Sequence, residues 1–77
     1  MHLTGTQVVY DDLWSTATYH STSAQYTVSY RTDVDERLVG NVWNHLPVDK
    51  LLIVDQYFDK ELDREVVILE RDPHAKA

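Results

Sequence analysis

The sequence predicts an α+β fold, a small two-layer sandwich with one helix on a four- or five-stranded antiparallel sheet. Three observations predict it. Asp35–Leu46 carries Leu38, Val39, Val42, Trp43 and Leu46 as one apolar stripe, about 140° wide at ~100° per residue. The segments on both sides are rich in Val, Ile, Thr and Tyr, which favour strands over helix interiors. At 77 residues the chain forms one domain, 1–77, whose core buries only about 60–65% of the unfolded surface. One helix on one sheet is the two-layer solution for such a set of elements.

Taken in order, Thr6–Tyr10 reads as a first strand and Asp11–Trp14 as a turn or bulge, with a short helical turn as the alternative. Ser15–His20 returns to strand composition. Ser21–Ala24 is a turn, because small hydroxyl side chains bond locally to the backbone. Gln25–Thr32 alternates cleanly, with Tyr26, Val28 and Tyr30 on one face and Thr27, Ser29 and Arg31 on the other, as in a strand with one wet face. Together these make a β-meander.

The helix over residues 35–46 follows. Asp33 or Asp35 caps it, and Asp35 and Glu36 place negative charge where the helix dipole favours it. Arg37, Asn41, Asn44 and His45 face outward. Gly40 lies off the stripe and costs up to ~1 kcal/mol relative to Ala; it serves either a close backbone approach or nothing. Pro47 ends the helix by biasing Leu46 away from helical dihedrals. Leu51–Phe58 and Val66–Leu69 then form a hairpin across the charged link 59–65, for which a helical turn is the alternative. Residues 72–77 read as a frayed tail. Pattern alone leaves the strand order open.

Both hairpin strands are apolar at consecutive positions, so both of their faces call for burial. One helix covers one face of a sheet. A closed, barrel-like sheet would bury the other; otherwise the curled N-terminal meander covers it, or an interface does, with a second copy of the chain or a different protein as the occupant.

Thirteen carboxylates oppose seven Lys and Arg, a formal net charge of −6 with a pI near 4.9. Nucleic-acid affinity rests on Lys and Arg neutralising phosphates, so direct nucleic-acid or anionic-membrane binding is disfavoured. The same field steers the molecule toward basic surfaces. The N-terminus lacks the basic patch and apolar run of a signal peptide. The longest apolar run, Leu51–Val54, is far short of the ~20 residues that span a bilayer. With no cysteine there is no disulfide framework and no Cys-based zinc site, and a cytoplasmic location, the host cytoplasm if the chain is phage-encoded, is the expectation.

Catalytic chemistry is not written in the chain. His2, His20, His45 and His74 show no metal-ligand spacing. There is no nucleophile elbow, and two glycines cannot build a phosphate cradle. Asp59–Glu65 lacks the alternating oxygens and central Gly of a calcium loop. No cofactor is expected, and the chain reads as a non-enzyme. Binding features are better represented. Trp14 and Tyr57 are the candidate aromatic anchors, Tyr and Trp being enriched at binding hot spots. The carboxylates fall into three groups, Asp11/Asp12, Asp33/Asp35/Glu36, and Asp55 through Glu65, the last containing Asp59, Glu61 and Asp63. The sequence thus points to a small acidic binding protein of the phage anti-defence or nuclease-immunity type. Asp33, Asp35, Asp55, Asp59, Glu61 and Asp63 would steer it to a basic, nucleic-acid-binding surface of a larger protein. The alternative is a structural homodimer or assembly subunit joined through an apolar sheet face.

Overall fold

The structure, a computed structural model, describes residues 5–74. The expectations for the first residues, for His2 and for the tail beyond His74 lie outside the described residues. In chain order the elements are β1 (Thr6–Asp11), β2 (Ser15–His20), β3 (Gln25–Tyr30), α1 (Glu36–Val39), 3₁₀ turns at Gly40–His45 and Val48–Lys50, β4 (Leu51–Asp59) and β5 (Arg64–Arg71). All pairings are antiparallel, in the order β1-β2-β3-β5-β4. The α+β sandwich expected from sequence is therefore present, with five strands. The sheet is open, with β1 and β4 as its edges, and is not the barrel-like closure considered above. The chain leaves the meander at β3, crosses to the far edge as β4, and returns between them as β5.

The helix is shorter than its sequence pattern. Only Glu36–Val39 is α-helical; Gly40–His45 tightens into 3₁₀ geometry. The start is as expected: the Asp35 carboxylate accepts the Arg37 backbone N–H at 2.9 Å. The change of geometry begins at Gly40 and continues through Asn41, Val42, Trp43, Asn44 and His45, all weaker helix formers than Ala or Leu. A Cβ on Gly40 would meet nothing within 4 Å, so no close backbone approach requires this glycine. The end is also as expected, with Leu46 extended ahead of Pro47 (φ −122°, ψ 147°). Because the winding tightens, Leu38 turns out to solvent, while Val39, Val42 and Leu46 are buried.

These residues cover the face of the sheet that carries Ala17, Val28, Val67 and Leu69, with Tyr26, Tyr30, Trp43 and Leu51 packed around them. Tyr30 and Trp43 meet edge-to-face, ring centroids 6.4 Å apart. Pairing of Ala17 with Val28 and of Val28 with Val67 runs this core row across three strands. The opposite face has no covering layer among the described residues. Over β1–β3 it is hydroxyl-rich, with Thr16, Thr18, Thr27 and Ser29; over β4–β5 it is apolar, with Leu52, Tyr57, Val66 and Ile68.

The turns follow local chemistry. Ser21–Ala24 closes β2 onto β3 with Ala24 at φ 55°, and residues 60–63 close β4 onto β5 with Asp63 at φ 56°. The latter is a turn, not the helical alternative. Gly5 (φ 75°) accepts bonds through its carbonyl from the Ser21 N–H at 2.7 Å and the Ser21 hydroxyl at 3.0 Å. A side chain there would be strained, and its Cβ would come within 2.8 Å of the Ser21 Oγ. At the other terminus the Asp72 N–H donates to the Lys50 carbonyl at 2.8 Å, so the tail is tied down where β5 ends.

Candidate functional site

The ladder fixes which loops share an end of the sheet. Asp11 pairs with Thr16, Ser15 with Tyr30, Tyr30 with Glu65, and Asp59 with Arg64. One end therefore carries the β1–β2 turn, the exit from β3, and the β4–β5 turn. Direct contacts tie these loops together. The Arg31 N–H donates to the Trp14 carbonyl at 2.9 Å, and the Arg64 guanidinium reaches the Thr16 hydroxyl at 3.4 Å.

This end gathers carboxylates from all three groups. Asp11, Asp12, Asp33, Asp59, Glu61, Asp63 and Glu65 lie there with Arg31, Lys60 and Arg64, seven acids against three cations. The end thus carries most of the net charge of −6. Each turn also puts a leucine at its tip, Leu13 with 76% and Leu62 with 59% of its surface exposed.

The acids differ in what they already hold. Asp12 organises its turn: one carboxylate oxygen accepts the Trp14 N–H at 2.8 Å, the Ser15 N–H at 2.9 Å and the Ser15 hydroxyl at 3.2 Å, and the other accepts the Tyr10 hydroxyl. The Tyr10 bond, above all, holds the Asp12 carboxyl below the ordinary carboxylate range and raises the Tyr10 phenol in turn. Asp33 forms a two-pronged pair with Arg31 at 2.9 and 2.7 Å, which lowers its pKa chiefly through those hydrogen bonds. Asp59 accepts the Glu61 and Leu62 N–H groups at 2.9 and 3.2 Å and so shapes the β4–β5 turn. Asp11 accepts the Thr16 hydroxyl at 3.0 Å.

The remaining candidates lie elsewhere. Asp35 and Glu36 open α1, where Asp35 also pairs with Arg37 at 3.0 Å. Asp55 and Tyr57 stand in the middle of β4 on the uncovered face. Trp14 is at the acidic end but half-buried, so the exposed apolar anchors there are Leu13 and Leu62. Sequence reasoning passed over both leucines, although a large apolar residue inside an acidic turn (Asp12-Leu13-Trp14, Glu61-Leu62-Asp63) is a legible sign of an exposed tip.

The histidines have structural surroundings. His20 sits among the hydroxyls of Thr27, Thr6 and Thr18 at 2.9, 3.3 and 3.4 Å. The His45 Nδ1 is 3.0 Å from the Asn41 carbonyl, and its ring lies 4.4 Å from that of Tyr10. Among the described residues no three His, Asp or Glu side chains are grouped to hold a metal ion, and no helix is long and apolar enough to cross a membrane. The opposite end of the sheet has a different character. Its Ser21–Ala24 turn is uncharged, and Lys50 and Arg71 line a cleft of about 180 Å³ with Tyr19, Tyr26 and Pro47. No protein-family model matches the chain, and no curated protein or solved structure matches it.

Proposed function

We propose that this chain is a non-enzymatic binding protein that inhibits or regulates a larger protein by occupying a basic surface with the acidic end of its sheet. The observation that carries this reading is the convergence of two turns and the β3 exit at one end, with seven carboxylates against three cations and an exposed leucine on each turn. Such an end is drawn to a basic patch over a distance of roughly a Debye length, ~8–10 Å, and the leucines give it apolar contact area once docked. A patch that ordinarily holds nucleic acid has the complementary charge, so occupancy by this end would exclude the nucleic acid. This is the phage anti-defence or nuclease-immunity type of action, carried out in the cytoplasm. Steering falls to Asp11, Asp33, Glu61 and Asp63, whereas Asp12 and Asp59 shape the turns that present them.

Affinity capture from host lysate, with wild type and a Glu61→Gln/Asp63→Asn variant side by side, tests the proposal. The expected result is a basic partner released by raised salt and by heparin, and retained weakly by the variant. Capture of nothing basic, or equal retention by the variant at high salt, overturns it.

A further inference from the structure

The β4 edge is a second, separate surface. All of Leu52–Phe58 is exposed, five of the seven residues being large apolar or aromatic side chains. Among the described residues only β5 flanks this strand, so alternate N–H and C=O groups of its nine residues point away from the sheet, apart from the Gln56 N–H, which donates to the Asp55 carboxylate at 2.9 Å. We propose that a second copy of this chain pairs with this edge, β4 against β4 and antiparallel, to make one continuous ten-stranded sheet.

Register is the first support. Ile53 is opposite Leu69 on the helix-covered face, while Asp55 is opposite Ile68 on the other face; Val54 is the extra residue of a bulge. Val54 and Asp55 together occupy one strand position. A two-fold axis through that position sets Ile53 against Gln56 of the other copy, Leu52 against Tyr57, and Leu51 against Phe58. Each pair then lies on one face. Registers offset from this one by an odd number of positions set helix-face residues of one copy against outer-face residues of the other, and those offset by an even number set each bulge against a regular residue. A bulge that interrupts pairing with a regular strand is matched when a second bulge meets it across the axis.

Charge is the second support. Lys50, the last residue of the second 3₁₀ turn, immediately precedes β4, and Asp59 ends it. The bulge-centred register brings the Lys50 end of β4 in each copy to the Asp59 end in the other. Lys50 forms no ion pair among the described residues. Against pairing stand the net charge of −6 on each copy and the approach of the two Asp55 carboxylates beside the axis.

The chain has no cysteine, which allows a direct test. Leu52→Cys and Tyr57→Cys variants are oxidised separately and mixed. In this register residue 52 of one copy faces 57 of the other within disulfide reach, whereas 52 and its own counterpart are about 13 Å apart. The expected result is a disulfide-linked dimer in the mixture and none in either variant alone. Sedimentation of the full chain should show a dimer whose Kd rises at least about tenfold with Ile53→Lys. It should be unchanged by Val8→Lys on β1 and tightened by Asp55→Asn. Circular dichroism checks that each variant folds, and the cysteine pair stands alone if Ile53→Lys does not. A monomer throughout the micromolar range overturns the proposal, as does cross-linking of each cysteine variant with itself or weakening by Asp55→Asn. Capture of a basic partner through the acidic end is unaffected by any of these outcomes.

Discussion

The two edges of this sheet solve the same problem differently. β1 is six residues long and β4 is nine, and each contains one bulge. On β1 the residues at the bulge, Val9 and Tyr10, turn into the core, and the 3₁₀ turn at 40–45 packs beside them. Thr6, Gln7 and Asp11 present polar groups along the rest, and Val8 is the one exposed large apolar side chain of the strand. On β4 nothing is covered between Leu52 and Phe58. A bulge therefore does not blunt an edge by itself. Length, composition and a covering segment do; β1 has all three, while β4 has only Asp55, whose carboxylate takes the Gln56 N–H at 2.9 Å.

The comparison breaks first where the β4 side is held from beneath. Leu69 is buried, lies opposite Ile53 in the ladder, and floors a groove of about 430 Å³ shared with Trp43, Val48, Leu51 and Ile53. Leu69→Ala is expected to cost about 2–5 kcal/mol, seen as a lower urea midpoint at unchanged slope. Val8→Ala on the other edge is expected to stay within about 0.5 kcal/mol. Equal costs would show that Leu69 does not hold the β4 side from beneath.

The next effect belongs to the β1 side. Asp12 holds the turn that delivers β1 to β2, and its loss leaves the fully buried Ser15 hydroxyl without its carboxylate partner. Asp12→Ala is expected to cost about 1–2 kcal/mol in chemical denaturation. The sign of the pH dependence follows from the lowered pKa of Asp12. Its contribution is present above the unfolded carboxylate value, about 3.9, and is lost as pH falls through the lower folded value. Tyr10 and Tyr30 are raised, Tyr10 mainly by its bond to Asp12 and Tyr30 mainly by burial, so their contribution is lost as pH climbs past about 10. Asp12→Asn should flatten the acid limb of a stability–pH profile; an unaltered limb would contradict this role.

How much of this was legible depended on whether local chemistry or tertiary position decided the outcome. Ser15–His20, the Ser21–Ala24 turn, the Asp35 cap and the Pro47 stop were readable because each rests on side-chain chemistry within a few residues. The apolar runs of β4 and β5 were equally readable as strands, yet both looked doubly buried. Val66 and Val67 on β5 are, because β5 sits between β3 and β4; Ile53 and Val54 on β4 are not, because β4 is an edge. Composition does not encode strand order, and that order separates the two. The same holds for the acids. Three clusters were visible along the chain, but only the ladder brings Asp11, Asp33 and Asp63 to one end while leaving Asp55 mid-strand. The helix was overestimated because an apolar stripe at 3–4 residue spacing fits 3₁₀ winding nearly as well as α over two turns.

The smallest effect is expected on the connection that carries the chain from β3 across to β4. Arg31–Asp33 and Arg37–Asp35 are well-formed pairs, and each lowers its carboxylate and raises its guanidinium through direct hydrogen bonds. Both are open to solvent, where screening and side-chain entropy offset nearly all of the attraction. Asp33→Asn should therefore leave the urea midpoint unchanged within error at physiological salt. Asp35→Asn keeps an oxygen to accept the Arg37 N–H, so it too should have little effect. Their carboxylates contribute to the acid limb with the same sign as Asp12, lost as pH falls, but raised salt should erase that part while sparing the Asp12 part, which rests on short-range bonds. A loss of stability in Asp33→Asn comparable to that in Asp12→Ala would mean that the crossing segment, and not the ladder with β5, sets where the exposed edge lies.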